Sequence, residues 1–203
     1  MSIPYELTGR TEQKARTRNA LIAAARQLLA EDTAPTVERA ADRAAISRTT
    51  AYRYFQNQRA LLHATYPDLE APSLLGADAP AEPLPRLEAV VEHFTRQVVE
   101  NEPELRAQLR LTLDPVPPDA DTLPLRQGRA IGWFEDALAP VRDRMPDGDL
   151  RRLVLAIRAT TGIEALVWLT DIAGLPRDEA VEIMRSSAMT LARAAIANGA
   201  SHA

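Results

Sequence analysis

The polar side chains that stand out in this sequence lie between residues 36 and 58, and they are of types that form hydrogen bonds rather than react. Arginine forks can grip O6 and N7 of a guanine, and hydroxyl or amide groups can hold phosphates. Seven of these residues carry a hydroxyl or an amide and two carry a guanidinium, namely Thr36, Ser47, Thr49, Thr50, Tyr52, Tyr54 and Gln58, and Arg48 and Arg53. The segment therefore suits contact with a polyanion and with base edges.

These side chains must be positioned by short helices whose ends the sequence marks. Thr36 and Ser47 are good N-caps. Between them small apolar residues recur at helical spacing and permit two helices to cross closely, and Ile46 can fill the angle between the helices. The apolar stripe consists of Val37, Ala40, Ala41 and Ala44. The pattern predicts a helix-turn-helix whose second helix presents its polar side chains, with Phe55 in the core.

This segment resembles the DNA-binding domain of the TetR (tetracycline-repressor-like) family. In that family a Thr-capped helix with an Ala-rich face leads through a Gly turn to a Ser-capped helix ending in a Tyr-x-Tyr/His-Phe element. The corresponding residues here are Thr36, Val37, Ala40, Ala41, Ala44, Ile46, Ser47, Thr50, Tyr52, Tyr54 and Phe55, followed by Ala60-Leu61-Leu62. The resemblance covers residues 12–66. Ala45 stands where the family usually has Gly, and Gln58 where it usually has Lys.

The resemblance implies a role for each matching polar residue. Arg48, Thr49 and Arg53 would contact base edges. The residues that would hold phosphates and set the register are Thr36, Ser47, Thr50, Tyr52, Tyr54 and Gln58. Core packing is the alternative for Tyr52 and Tyr54.

The charge distribution agrees with a DNA-binding head on a different kind of body. The net charge of the chain is −4, yet residues 1–66 hold ten basic and six acidic side chains, against 14 and 22 in the remainder. A basic head can bind nucleic acid while an acidic body does something else. Chance clustering of surface charge is the alternative.

The rest of the composition bounds the class of protein. The chain has no cysteine and three histidines in no metal-binding spacing, and no Gly-rich phosphate loop or nucleophile elbow occurs. We therefore predict no enzyme, no catalytic residue, no metal site and no cofactor. An apolar run long enough to span a membrane and an N-terminal h-region are both missing, which predicts a cytoplasmic protein without a membrane partner.

The predicted fold is all-α, with about nine helices. A three-helix helix-turn-helix domain at 1–66 is followed by a larger helical domain for effector binding and dimerisation at 67–203. A Pro-rich stretch separates them, because no continuous helix can cross the five prolines between Pro67 and Pro85. Beyond it, helical patterns lie near 85–101, 103–113, 124–145, 148–173 and 176–198.

The last helix predicts a dimer interface. A single recognition helix touches few bases, so such heads are normally paired on two-fold sites. One stripe of the last helix is apolar with small residues that permit close approach, and the family resemblance also implies an interface of two helices per subunit. The stripe consists of Val181, Met184, Ala188, Leu191, Ala192 and Ala195. A fully intramolecular core is the alternative.

Polar and aromatic residues that interrupt apolar faces of the body are candidates for a ligand pocket. They are His93, Phe94, Gln97, Arg129, Trp133, Glu164 and Trp168. Glu164 lies among apolar neighbours, where a buried carboxylate would need a partner. An ordinary structural role is the alternative for each residue.

The combined expectation is a regulator, most simply a repressor, that binds a palindromic operator in double-stranded DNA as a homodimer. A small, largely apolar effector would release it. A dimeric DNA-binding protein without an effector, or an activator, remains the alternative.

Overall fold

The structure is a computed structural model that describes residues 5–31, 34–65, 72–113 and 128–200, without the side chains of 5–10, 129, 199 and 200. Within those ranges the regular structure is entirely helical, which confirms the predicted all-α class. The α-helices are α1 (Tyr5–Ala30), α2 (Val37–Arg43), α3 (Arg48–Tyr54), α4 (Gln58–Thr65), α5 (Pro83–Glu100), α6 (Glu102–Leu113), α7 (Arg129–Ala137), α8 (Asp147–Thr161), α9 (Ile163–Val167) and α10 (Arg177–Ala200).

The described residues fall into two compact units that do not follow chain order. The first unit holds the residues up to 65 together with 103–113, and the second holds 72–102 and 128–200. The sequence-based division assigned 103–113 to the body, whereas the contacts group this helix with the head. An amphipathic pattern shows that a helix is packed but does not identify its partner, which explains the difference.

The core of the first unit explains why α1, α2, α3 and α4 assemble. Leu21, Ala25 and Leu28 lie on one face of α1 and pack against buried residues of the other helices. The buried residues supplied by α2 to α4 and the turn after α3 are Val37, Ala40, Ala41, Ala51, Phe55 and Leu61. The alanines allow the close helix crossing that their small size predicts, and the burial of Phe55 in the core is confirmed.

Helix α6 is joined to α4 by hydrogen bonds within the first unit. The guanidinium of Arg59 donates to the carbonyl of Leu111. The amide of the buried Gln108 donates to the carbonyl of Leu62 over 3.4 Å. Both bonds use a carbonyl on one helix and a long side chain on the other, so they fix α6 beside α4.

In the second unit α10 packs on α8 and α5, and α7 packs between α5 and α8. Two polar contacts anchor α10. Arg177 Nη2 lies 2.8 Å from Glu102 Oε2, and Arg185 Nε donates to Thr95 Oγ1 over 2.9 Å. Glu102 and Thr95 are buried, so Arg177 and Arg185 provide the hydrogen bonds that water cannot make to these two side chains.

Two helices that the sequence predicts as continuous are interrupted. The segment 124–145 gives α7 and then a 3₁₀ helix at Ala139–Arg144, and its residues 124–127 lie outside the described part. The segment 148–173 is broken at Gly162, whose ψ of −180° is extended, and ends in a π-helix at Trp168–Ile172. Gly174 then adopts a φ of +73°, the left-handed conformation that glycine often takes just after a helix.

No single helix among the described residues is both long and apolar enough to cross a membrane. In the same described ranges, one bent pair of helices, Asp147–Thr161 with Ile163–Ile172, meets that length and composition together.

Candidate nucleic-acid interface

The two helices of the predicted helix-turn-helix begin with side-chain caps. Thr36 accepts a hydrogen bond from the backbone N–H of Arg39 over 3.2 Å, and Ser47 accepts one from the backbone N–H of Thr50 over 3.2 Å. The Ser47 hydroxyl also donates to Thr50 Oγ1 over 2.8 Å. Both predicted N-caps are therefore confirmed, and the Ser47 hydroxyl proton is donated to the Thr50 side chain within α3.

The turn between α2 and α3 is made without glycine. Ala45 has a φ of +54°, in the left-handed region, and Ile46 N–H donates back to the carbonyl of Ala41 over 2.9 Å. Ile46 packs against the head core, as the sequence predicts. The turn has the geometry that glycine usually supplies, and alanine adopts it at a cost of about 1 kcal/mol.

Helix α3 has one buried and one exposed face. Ala51 is buried, and Tyr54 packs against the core of the head. Arg48, Thr49 and Arg53 are all exposed. The three residues expected to reach base edges therefore share the accessible side of a short helix whose other side is fixed by packing.

Tyr52 is 41% exposed, so the alternative of core packing does not describe it. Its hydroxyl donates to the Glu38 carboxylate. This bond lowers the pKa of Glu38 below its ordinary value and raises the pKa of Tyr52 above its own. Both groups thus keep their charge states at neutral pH, with Glu38 anionic and Tyr52 protonated.

Arg48 also has an acidic partner on α2. Its Nη2 lies 3.1 Å from Asp42 Oδ2, and the side chains of both residues are about two-thirds exposed, at 64% and 61%. The Asp42 carboxylate raises the pKa of Arg48. Sequence reasoning missed both acids, although Glu38 and Asp42 are one turn apart on α2 and therefore share a face.

The start of α4 lies in the same unit. Asn57 Oδ1 accepts a hydrogen bond from the backbone N–H of Ala60 over 2.8 Å, so Asn57 caps α4. Gln58, the first residue of α4, is half-buried. The Arg18 guanidinium lies 5.6 Å from the centroid of the Phe55 ring, so a cation from α1 covers the end of α3.

Residues 21–65 match the family model described as bacterial regulatory proteins, tetR family. This match assigns the helix-turn-helix segment of the chain to the TetR family. The match covers α2, α3 and α4 completely, together with the C-terminal part of α1. It thus supports a DNA-binding helix-turn-helix regulator. A comparison with curated proteins gives no match.

The candidate pocket residues in the second unit are partly assembled. Phe94 and Trp133 are buried with ring centroids 6.2 Å apart, and Phe94 also meets Phe134 edge-on at 5.5 Å. His93 Nε2 lies 3.2 Å from Gln97 Nε2 on the same helix. The Arg129 side chain lies outside the described residues.

Two of the pocket candidates differ from the sequence-based expectation. Glu164 is not buried but exposed, and its carboxylate lies 3.4 Å from Arg158 Nη1. Trp168 is 56% exposed. The break at Gly162 and the π-helix that follows change the helical phase, so neither residue lies where one continuous helix would have put it.

The predicted dimer stripe on the last helix splits into two groups. Met184, Ala188 and Ala192 are buried within their own unit. Val181, Leu191 and Ala195 are half-buried. Leu191 and Ala195 line an open groove of about 790 Å³ between α8 and α10, together with Leu153, Ala156 and Ala194.

Proposed function

We propose that this TetR-family regulator is a cytoplasmic repressor that binds a palindromic operator as a homodimer and is released by a small, largely apolar effector. The observation that carries the DNA-binding part is α3, a capped helix with its inner face in the core. Its outer face presents Arg48, Thr49 and Arg53 to solvent. Such a helix fits the major groove and can read base edges there.

Base reading is tested with Arg48→Ala. We expect the variant to lose at least about tenfold in affinity for the operator, and much less for mixed-sequence DNA, because a bidentate contact to guanine exists only at the cognate site. The measurement is a titration of both duplexes at one salt concentration. Arg142→Ala, an exposed arginine of the second unit, is the control and should change neither affinity. Equal losses on the two duplexes would make Arg48 a phosphate contact.

Dimerisation is proposed through the faces of α8 and α10 that the monomer leaves exposed. Leu155 on α8 and Ile183 on α10 are large apolar residues with 44% and 37% exposure. A second copy would cover these faces, as expected for an interface whose core resembles a protein interior. Two heads would then be held at a fixed distance for a two-fold site.

The effector is proposed to bind beside the aromatic cluster of Phe94, Trp133 and Phe134. Gln97 lies on α5 next to Phe94, and its Oε1 is a buried acceptor without a hydrogen-bond partner in the described part of the chain. Apolar walls with one polar anchor are typical of small-molecule sites. An apolar molecule that carries one N–H or O–H donor would match these groups, and it releases DNA by favouring the unbound arrangement of the heads.

The effector site is tested with a single-tryptophan protein. Trp168→Phe removes the exposed tryptophan and leaves Trp133 as the reporter, since the chain has two. We expect compounds that release the operator to change Trp133 emission, and Gln97→Leu to weaken both effects together. Operator release without any change in Trp133 emission would place the effector elsewhere.

A further inference from the structure

Two contacts connect α2 to α3 on the outer side of the helix-turn-helix. Asp42 pairs with Arg48. One helical turn back along α2 and one turn forward along α3, Glu38 pairs with Tyr52. Each helix contributes residues four apart, which lie on one face of an α-helix. The pairs therefore form two parallel links between an acidic face of α2 and the exposed face of α3.

The two links leave different groups available to DNA. An arginine has five N–H donors, and the contact with Asp42 uses one end of the guanidinium. Arg48 can therefore be held by Asp42 and still donate to a guanine. Tyr52 has a single O–H, and it is donated to Glu38. A phosphate offers only acceptors, so Tyr52 can donate to one only after it has left Glu38.

The acids also change the electrostatics of this surface. Glu38 and Asp42 place two carboxylates beside residues that would meet a polyanion, and they repel every phosphate whatever the base sequence. A guanine compensates through its bidentate contact with Arg48, whereas other bases do not. This repulsion is equal for cognate and non-cognate DNA, so it lowers non-specific affinity, and the preference for one sequence must come from the orientation of Arg48 by Asp42.

We propose that Asp42 is a positioning residue for sequence discrimination, which holds Arg48 in its base-reading orientation and, with Glu38, disfavours non-specific DNA. The inference rests on the proposed DNA-binding function and adds to it two acidic residues that touch no base. Fixing a long side chain before binding reduces the conformational entropy that the contact would otherwise lose.

The test uses the full chain and a pool of duplexes that carry randomised sequence. Motifs selected by the wild type are compared with those selected by Asp42→Ala and Asp42→Asn, and affinities for the selected motif and for a fixed mixed-sequence duplex are measured at one salt concentration. Asn removes the charge but keeps an oxygen for Arg48, whereas Ala removes both. Asp42 is exposed, and circular dichroism verifies that each variant is folded.

We expect Asp42→Ala to lose about tenfold in preference for guanine at one position of each half-site. Asp42→Asn should keep most of that preference, and both variants should bind the mixed-sequence duplex more tightly. In an Arg48→Ala background, Asp42→Ala should leave base preference unchanged, because Asp42 acts through Arg48. Glu12→Gln, an exposed acid on α1, controls for net charge and should select the wild-type motif.

An unchanged motif and guanine preference in Asp42→Ala would overturn the positioning role. A further loss of preference in the Arg48→Ala background would also overturn it, since Asp42 would then act by another route. If the wild type selects no motif at all, the proposed DNA-binding function itself is wrong. That outcome is distinguishable from failure of the positioning role alone, in which the wild type and Asp42→Ala select the same motif.

Discussion

Position 45 holds an alanine in a backbone conformation that glycine adopts without steric cost. The residue forms the turn between α2 and α3 with a φ of +54°. For an L-residue with a Cβ this region costs about 1–2 kcal/mol. The turn is thus a place where the head retains strain that one substitution can remove.

We therefore expect Ala45→Gly to raise the free energy of unfolding by about 1 kcal/mol. The matched control is Ala20→Gly, at an exposed position inside α1, where glycine should lower it by about 1 kcal/mol. Denaturant unfolding of the three proteins makes the comparison. A loss of stability in Ala45→Gly would show that the gain in unfolded-state entropy exceeds the strain at this turn.

Much of the helix-turn-helix could be predicted residue by residue because its requirements are local. Caps at Thr36, Ser47 and Asn57 depend only on a side chain and an N–H up to three residues further along. The partners of Arg48 and Tyr52 could not be predicted in the same way. They depend on the crossing of α2 and α3, and neither the spacing in α2 nor that in α3 specifies which side chains meet.

At the scale of the elements, α10 is held on α5 by a side-chain bond that is shielded from water. Arg185 Nε donates to the buried Thr95 Oγ1, and Arg185 Nη2 approaches the carbonyl of Glu92. Thr95→Val keeps the shape of the side chain but removes the acceptor. We expect it to lower the free energy of unfolding by about 1 kcal/mol.

A double-mutant cycle isolates that bond. In an Arg185→Met background, where the donor is already absent, Thr95→Val should cost distinctly less. Chemical unfolding of the wild type, both single variants and the double variant supplies the four values. Strictly additive effects would mean that the Arg185–Thr95 bond does not stabilise the packing of α10 on α5.

The end of α1 is linked to the end of α2 by a two-bond ion pair, and this link should depend on pH. Arg43 donates to both carboxylate oxygens of Glu31, over 2.9 and 2.7 Å. The pair lowers the pKa of Glu31 below its ordinary value of 4.5. A carboxyl whose pKa is lower in the folded state stabilises the fold above its unfolded pKa, and that contribution is lost as the pH falls through the folded pKa.

The difference in stability between the wild type and Glu31→Gln should therefore be present at neutral pH and shrink below about pH 4.5. Unfolding of both proteins across that range measures it. With Arg43→Gln as the background, the pH-dependent part should vanish, because the cation that lowers the pKa is gone. A difference that stays constant from neutral to acidic pH would contradict the ion pair.

Helix boundaries inside the second unit were predicted less well than those in the head. From Leu153 to Ile172 apolar residues occur on nearly every side of the predicted helix, so periodicity alone gives no phase and no break. α8 ends at Gly162, whose ψ of −180° is extended, and a Cβ there would overlap the ends of the Arg158 and Glu164 side chains. After this break Glu164 and Trp168 are exposed instead of facing the apolar core.

At the scale of the whole molecule, the proposed dimer predicts which substitution gives monomers. Ala188 is fully buried in its own unit, so a charge there would disrupt folding. Ala194 is exposed and lines the groove between α8 and α10. We expect Ala194→Arg to remain folded and to become monomeric, because a buried charge at an interface without a partner is strongly unfavourable.

Light scattering and circular dichroism on the same sample test this expectation. Ala89→Arg, at an exposed position of α5, is the control and should leave the dimer intact. A folded Ala194→Arg protein that dimerises with wild-type affinity would move the interface away from this groove. Monomers of the wild type at every concentration would contradict the dimer itself.

The packing of α6 with the head has a consequence for the order in which the chain becomes structured during synthesis. Arg59 and Leu62 hydrogen-bond to residues 111 and 108, about fifty positions later. A ribosome that has released only the first 66 residues therefore exposes a head without these partners, and part of the second unit emerges before the first is complete. A fragment that ends at residue 66 should therefore be less stable than the same head in the full chain. A fragment designed to express the head alone should extend through Leu113. It should either keep the intervening residues 72–102 or replace them with a linker.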